Sequence, residues 1–386
     1  MDSPHLRFPD DISRQHFLDQ YWQKRPALFR KAISPDCFTL SPDELAGLAC
    51  EVEVESRLIV EHTEGQWELR HGPFQPGDFS HVPASHWTLL VQDVDKHLPE
   101  VASLLDAFEF VPDWRLDDIM ISYASDQGGV GPHTDSYDVF LVQARGERRW
   151  RISEQSYDET DLLPDCPLRV LREFHTARDV TLQPGDVLYL PPGVAHWGTA
   201  EGECMTWSVG MRGLSDAELL AGWLEQLSSS GRAHLQDQID SRTTVPSLLS
   251  RRDLDHIRTV MAKALPGDDA AFRRWAGCQL TEPKPDFEIA PDQHDPASTF
   301  QAWAEKRLTL RRHPWARFAL LPMSAEQLAL CAQGQALEYP VAFQAALEYV
   351  CRSRRLRHAE LTEEKAPGLR EVMLDLLRLG WLQPDD

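Results

Sequence analysis

Two short stretches hold the residue types from which a metal site can be built. In GGVGPHTDSYD, residues 128–138, a histidine and an aspartate stand two apart, His133 and Asp135. In PGDVLYLPPGVAHWG, residues 184–198, a third candidate follows, His196, 61 residues after Asp135. A His-x-acid pair alone means little, since a chain with 15 histidines also contains His62-Thr63-Glu64 and His358-Ala359-Glu360. What raises His133 and Asp135 is their setting. They follow a glycine-rich turn and enter a predicted strand, where residues two apart point to one side. Two histidines and one carboxylate occupy one face of an octahedral ion and leave three positions open, the arrangement of non-haem Fe(II) oxygenases. The plainer reading is that each is an ordinary turn residue.

The second chemical signal is an arginine with the wrong parity. Alternation along Glu147-Arg148-Arg149-Trp150-Arg151-Ile152 puts Arg148 on the apolar side, with Trp150 and Ile152. A buried guanidinium without a partner costs several kcal/mol, on the order given for desolvated ions, so an anion must meet it. Either the protein supplies a carboxylate or a ligand does. If a ligand does, a planar fork one predicted hairpin from a chelating metal suits a dicarboxylate, and 2-oxoglutarate has that shape.

The bulk numbers permit this chemistry and exclude others. The chain has 386 residues, enough for one large domain and smaller ones. Its 61 acidic against 39 basic side chains give a formal charge of -22, which argues against a nucleic-acid surface and leaves a basic partner or simple solubility open. The seven cysteines are scattered without a C-x-x-C, so reduced thiols are expected, with no disulfide framework or zinc knuckle. No basic leader followed by an apolar run opens the sequence, and no apolar stretch has membrane length. A cytoplasmic protein is expected.

The elements that must position these residues can be outlined from texture. Residues 1–115 mix helical and strand signals: Arg14–Trp22 has helical spacing, and Ser41 precedes a proline and acids as an N-cap does. From about 116 to 212 the chain turns to short alternating runs, DDIMISYAS, DVFLVQA, ERRWRI, DVLYLPP and CMTWSVGMR, the pattern of a β-sandwich or barrel. Beyond Ser215 come helical DAELLAGWLEQLSS, SLLSRRDLDHIRTVMAKAL and AAFRRWAGCQL. Residues 281–296, TEPKPDFEIAPDQHDP, read as a linker, and 297–386 as a separate mixed module with strand-like RLTLRRHPWARFALL and two amphipathic helices. The basic run Arg352, Arg354, Arg355 and Arg357 is expected on a solvated helix face.

With these residues in view, the sequence resembles the JmjC-type 2-oxoglutarate oxygenases. It is more closely similar to the bacterial ribosomal oxygenases that hydroxylate an arginine of large-subunit ribosomal protein 16. The likeness is carried by YWQKRPALFRKA, SPDELAGLA, LPEVASLLDAFEFVPDWRLDDIMISY, GGVGPHTDSYDVFLVQ and PGDVLYLPPGVAHWG, and it is strong over residues 15–212. It implies a mixed α+β chain: a double-stranded β-helix (jelly-roll, cupin-like) core in an oxygenase domain over 1–212, a helical dimerisation region over 213–280, and a winged-helix-like module after the linker. It implies iron on His133, Asp135 and His196, and the distal carboxylate of 2-oxoglutarate on Arg148. It places the substrate arginine near Asp118, Met120, Tyr137 and Ser208. The residues support that pocket in part: Asp118, Met120 and Ser122 share a strand face, and Tyr137 continues the face of His133 and Asp135. An inward carboxylate, a ring and a thioether make a slot for a flat cation, although each could equally fill a core. Ser122 is a candidate second contact for 2-oxoglutarate.

The implied partners are Fe(II), 2-oxoglutarate, dioxygen, a basic ribosomal protein and a second copy of the chain, with no membrane or direct nucleic-acid contact. The C-terminal module shows no basic recognition helix. Two other readings stay open: hydroxylation of a histidine or another side chain on a ribosomal protein, and a metal-binding cupin that serves as an interaction platform without turnover.

Overall fold

The computed structural model describes residues 4–9, 12–63, 65–228, 254–255, 258–259, 261–262, 270–291, 294–356 and 365–385. The chain divides into two units, Met1–Gly213 and Leu214–Asp386. Among the described residues, no helix is long and apolar enough to cross a membrane.

Unit 1 is built on one antiparallel nine-stranded sheet folded back on itself. Its strands are β1 (Ala27–Phe29), β2 (Ser56–Thr63), β3 (Gln66–His71), β4 (Trp87–Val91), β5 (Leu116–Ala124), β6 (Val139–Ile152), β7 (Arg178–Leu182), β8 (Val187–Leu190) and β9 (His196–Met211). They pair in the order β1-β8-β6-β9-β5-β4-β2-β3, with β7 on β6. The cap predicted at Ser41 is present, and Ser13 supplies one that was not predicted. Ser13 Oγ accepts from His16 N at the head of helix Arg14–Gln20, and Ser41 and Glu44 form a reciprocal capping box before helix Pro42–Leu48.

One expectation fails in an informative way. DVFLVQA and ERRWRI are not two strands of a hairpin but the halves of β6, 14 residues long. Val139–Gln143 pairs with one end of β9 and Glu147–Ile152 with the other, with register shifts between them. Bulges of this kind bend a strand and increase its twist, which lets one strand serve both walls of the β-helix. Gly146 sits at the bend with φ 62°, and a Cβ there would stand 2.1 Å from the carbonyl of Glu203.

Alternation then sorts the side chains. Leu58, Val60, Leu89, Val91, Ile119 and Ile121 face the main core, joined by Phe17, Phe29, Phe108, Phe140 and Tyr189. Each such fully buried side chain stabilises the fold by roughly 2 kcal/mol. The opposite positions on β5, Asp118, Met120 and Ser122, face a cavity.

Unit 2 holds helices Asp216–Ser228, Ala270–Leu280, Pro296–Ala304, Gln344–Arg352 and Leu369–Arg378. Two small sheets accompany them. In the first, β10 (Leu310–Arg312) lies between β14 (Arg355–Leu356) and β15 (Leu382–Pro384); the second is β11 (Ala319–Pro322), β12 (Gln327–Ala332) and β13 (Gln335–Pro340). Its core gathers Trp303, Leu310, Leu347, Leu376 and Trp381. Residues 281–291 lie along this unit: Thr281 Oγ1 donates to Gly277 O at 2.8 Å, and Ile289 N donates to Gln333 Oε1 at 3.0 Å. The basic run is not a solvated helix face. The helix stops at Arg352, Arg354 is 7% exposed, and Arg355 enters β14 and pairs with Asp385. Arg357 and most of SLLSRRDLDHIRTVMAKAL lie outside the described residues.

Candidate active site

His133, Asp135 and His196 converge: one ligand atom from each lies within 4.8 Å of the others. The convergence does not come from strand alternation, as the sequence predicted. His133 makes an isolated antiparallel bridge to His196 at the start of β9, and Asp135 stands in the loop before β6. The bridge brings the imidazole centroids to 4.3 Å. Each ring is oriented from behind, with His133 Nδ1 3.1 Å from Gly131 O and His196 Nδ1 2.9 Å from Val194 O. A carbonyl can only accept, so both Nδ1 atoms carry a proton, and both Nε2 atoms face Asp135, at 3.8 and 3.6 Å. Burial, then the neighbouring His133, pushes His196 down to about 4, so it stays neutral at physiological pH. Two imidazoles with their Nε2 atoms turned toward a carboxyl group form a donor set for a divalent ion.

Arg148 has the inward parity expected of it and is 4% exposed. Its Nη1 donates to Ser122 Oγ at 3.2 Å and its Nη2 to Gly198 O at 3.4 Å, while its buried Nε has no partner. Among the described residues no carboxylate pairs with it, so none of them supplies the anion. The Trp150 ring packs beside it, 5.0 Å to the centroid, and burial pulls the guanidinium below its ordinary value. The fork is held open by an absence of side chain. A Cβ on Gly198 would lie 2.7 Å from Arg148 Nε and from carbons of the Trp150 ring.

These groups line one cavity of about 260 Å³, along with every other candidate: Ser122, Asp118, Met120, Tyr137 and Ser208. The register explains the grouping, because Met120 pairs with Ser208 and Ser122 with Thr206 across β5 and β9. Asp118 is 4% exposed and accepts from Gln92 Nε2 and from Asp93 N. Tyr137 stands at 38% exposure on the loop; burial of its hydroxyl, then the charges of Asp135 and Asp118, pushes it up and keeps it neutral.

Other lining residues were not anticipated. Arg57 and Ile59 come from β2, Leu90 from β4 and Gln92 from just beyond it; Leu168 and Arg169 come from the loop before β7. The β2 and β4 residues reach the cavity by strand pairings across tens of residues. No local pattern announces them.

Comparison with known proteins agrees with this geometry. A family described as the JmjC domain matches residues 103–219, and one described as a ROXA-like winged helix matches residues 259–383. The ribosomal protein uL16 3-hydroxylase of Escherichia coli K12 is 35% identical over 314 residues, which is 79% of this chain and 80% of that protein. A probable ribosomal oxygenase of Haemophilus influenzae is 36% identical over 215 residues, 55% of this chain and 53% of that one. The X-ray structure of Escherichia coli YcfD superposes with a TM-score of 0.80 at 30% identity over the full length of both chains. A structure of that ribosomal oxygenase with cobalt and 2-oxoglutarate gives 0.79, covering 99% of this chain and all of the other. With such identity over most of both chains, and a β-helix followed by a winged helix, the chain belongs to the JmjC-type ribosomal oxygenases, a family of 2-oxoglutarate-dependent oxygenases.

Proposed function

We propose that the protein is an Fe(II)- and 2-oxoglutarate-dependent hydroxylase of an arginine side chain on large-subunit ribosomal protein 16. The observation that carries the choice of arginine is Asp118, a buried carboxylate facing the cavity that also holds the metal triad. The activity named for the Escherichia coli relative supports a ribosomal protein as substrate.

The residues present fit the groups this reaction needs. His133, Asp135 and His196 would hold iron, and the open fork of Arg148, with Ser122, would hold the distal carboxylate of 2-oxoglutarate. Together with dioxygen, iron and 2-oxoglutarate supply the oxidising power for an unactivated C–H bond, and the protein supplies placement. Asp118 accepts guanidinium N–H groups in charge-assisted hydrogen bonds, with Ser208 alongside. Met120 and Tyr137 flank the flat cation, and Val139, Leu141 and Trp150 keep water from the reacting carbon. A neutral imidazole fits worse, because Asp118 gains most from a cation. Segment 213–280, with Leu220 and Leu224 at 47% and 54% exposure, is the proposed dimerisation region.

The test is tandem mass spectrometry of recombinant ribosomal protein 16 after incubation with the protein, Fe(II), 2-oxoglutarate and dioxygen. One added oxygen on a single arginine is expected. Oxygen on a histidine, or 2-oxoglutarate consumption with the ribosomal protein unmodified, would overturn the arginine assignment. Absence of any 2-oxoglutarate consumption would favour a platform without turnover.

A further inference from the structure

One wall of the cavity continues past Asp118. Leu90 and Gln92 extend it on the β4 side, and Arg57 and Ile59 of β2 complete it. The register sets Arg57 opposite Leu90 and Leu90 opposite Ser122. At about 4.8 Å per strand step, the Arg57 backbone lies roughly 10 Å from that of Ser122.

A guanidinium there is short of acceptors. Its side-chain hydrogen bond among the described residues runs from Nη2 to Gln92 Oε1 at 3.4 Å, at the long end of the range, and no carboxylate pairs with it. Gln92 donates from its Nε2 to Asp118 Oδ2. The amide therefore has a fixed sense, with its oxygen to the cation and its N–H to the carboxylate. Arg57, Gln92 and Asp118 form a short line whose two charged ends both face the cavity.

We propose that Arg57 is a specificity residue that binds an oxygen of the substrate chain beside the target arginine. That oxygen is either a main-chain carbonyl or the carboxylate of a neighbouring acidic residue. The proposal rests on the reading of Asp118 as the guanidinium site. A side chain that reaches Asp118 from outside carries its own backbone over the adjoining rim, and the β2 side of that rim presents Arg57. A second cation on the substrate is repelled at this place, and an oxygen is held. Among the many basic residues of a ribosomal protein, Arg57 thus sorts arginines by what stands next to them. One charge-assisted hydrogen bond of this kind is expected to change affinity about tenfold to a hundredfold.

The experiment uses the full chain with synthetic peptides carrying one arginine, flanked at each of the two positions on either side by Ala, Asp or Lys. Oxygen incorporation is followed by mass spectrometry. Arg57→Ala is expected to raise the peptide KM about tenfold, with the KM for 2-oxoglutarate unchanged, and Arg57→Lys to restore most of the loss. If the oxygen is a carboxylate, the wild type prefers Asp at one position and Arg57→Ala erases that preference. If it is a main-chain carbonyl, the KM rises equally across the panel. In either case Arg57→Glu shifts preference toward Lys-flanked peptides. Should Arg57→Ala melt early, Arg57→Gln, which keeps the stem, takes its place. An unchanged peptide KM with unchanged flank preference in a variant of normal melting temperature overturns the proposal, as does an equal rise in the KM for 2-oxoglutarate. If the wild type consumes 2-oxoglutarate yet oxidises no arginine in any peptide or in ribosomal protein 16, the reading of Asp118 fails first, and Arg57 loses its role with it.

Discussion

Arg148 in unit 1 and Arg312 in unit 2 are sealed to a similar degree, 4% and 2% exposed, but what surrounds them differs. Arg312 Nη2 donates to the carbonyls of Val350 and Cys351, at 3.0 and 3.2 Å, and lies near that of Ser353. These are the orphan carbonyls at the end of helix Gln344–Arg352, where a cation also meets the negative end of the helix dipole. The Phe318 ring covers its other side at 4.2 Å. Arg148 meets one hydroxyl and one distant carbonyl. Burial alone therefore says little about function. The count of acceptors separates a guanidinium that completes a fold from one prepared for a ligand.

The contrast can be broken most sharply at Arg148. Arg148→Met should raise the KM for 2-oxoglutarate roughly a thousandfold, about 4 kcal/mol, while leaving the melting temperature unchanged or higher, since it removes an under-bonded buried charge. A variant that unfolds would place Arg148 with Arg312. The converse change, Arg312→Met, should cost about 3 kcal/mol of stability by stripping the carbonyls of Val350 and Cys351 of their donor, with the KM for 2-oxoglutarate intact. Chemical denaturation beside steady-state kinetics reads both.

Acid should separate the units as well. His313 is pushed down to about 4 by burial first and then by Arg311 and Arg317, and its Nδ1 accepts from Trp315 N at 3.2 Å. The neutral imidazole is the form the fold prefers. Its contribution is therefore full above the ordinary value of 6.5 and is lost as pH falls toward 4. Unit 2 should lose on the order of 2 kcal/mol across that window, and His313→Gln should flatten the pH dependence of its melting. The mildest change is Gly198→Ala. Its methyl group must displace Arg148 Nε and Trp150, so affinity for 2-oxoglutarate should fall about tenfold with metal affinity retained, measured by calorimetry.

The sequence made the chemical residues legible further than the architecture that aims them. Parity alone revealed Arg148, because a charge among Trp150 and Ile152 violates the local alternation whatever the fold. His133, Asp135 and His196 stood out through their types and the turns around them, although their convergence depends on a bridge that no local pattern encodes. The continuity of β6 was hidden because Ala144-Arg145-Gly146-Glu147 reads as a turn, and the structure uses that glycine to bend a strand without ending it. Arg57 and Gln92 were illegible for a different reason: their place at the cavity is set by the partners of β2 and β4, a property of topology. Prolines made 281–296 look like a tether, but its buried Thr281 and the bond from Ile289 to Gln333 fasten it down.

The division of the cavity wall among strands has an evolutionary corollary. His196 opens β9 and Arg148 lies on β6, so one of the three proposed metal ligands and the proposed clamp for the co-substrate sit on the two long central strands, locked by pairing along nearly their whole length. Asp118, Gln92 and Arg57, which would face the substrate, sit progressively outward through β5 and the β4 and β2 side, toward the free margin of the same sheet. Marginal strands can drift, lengthen or be recruited anew without disturbing the middle. A lineage holding this scaffold can thus acquire a new target residue by remodelling one border and inherit its oxidative chemistry untouched.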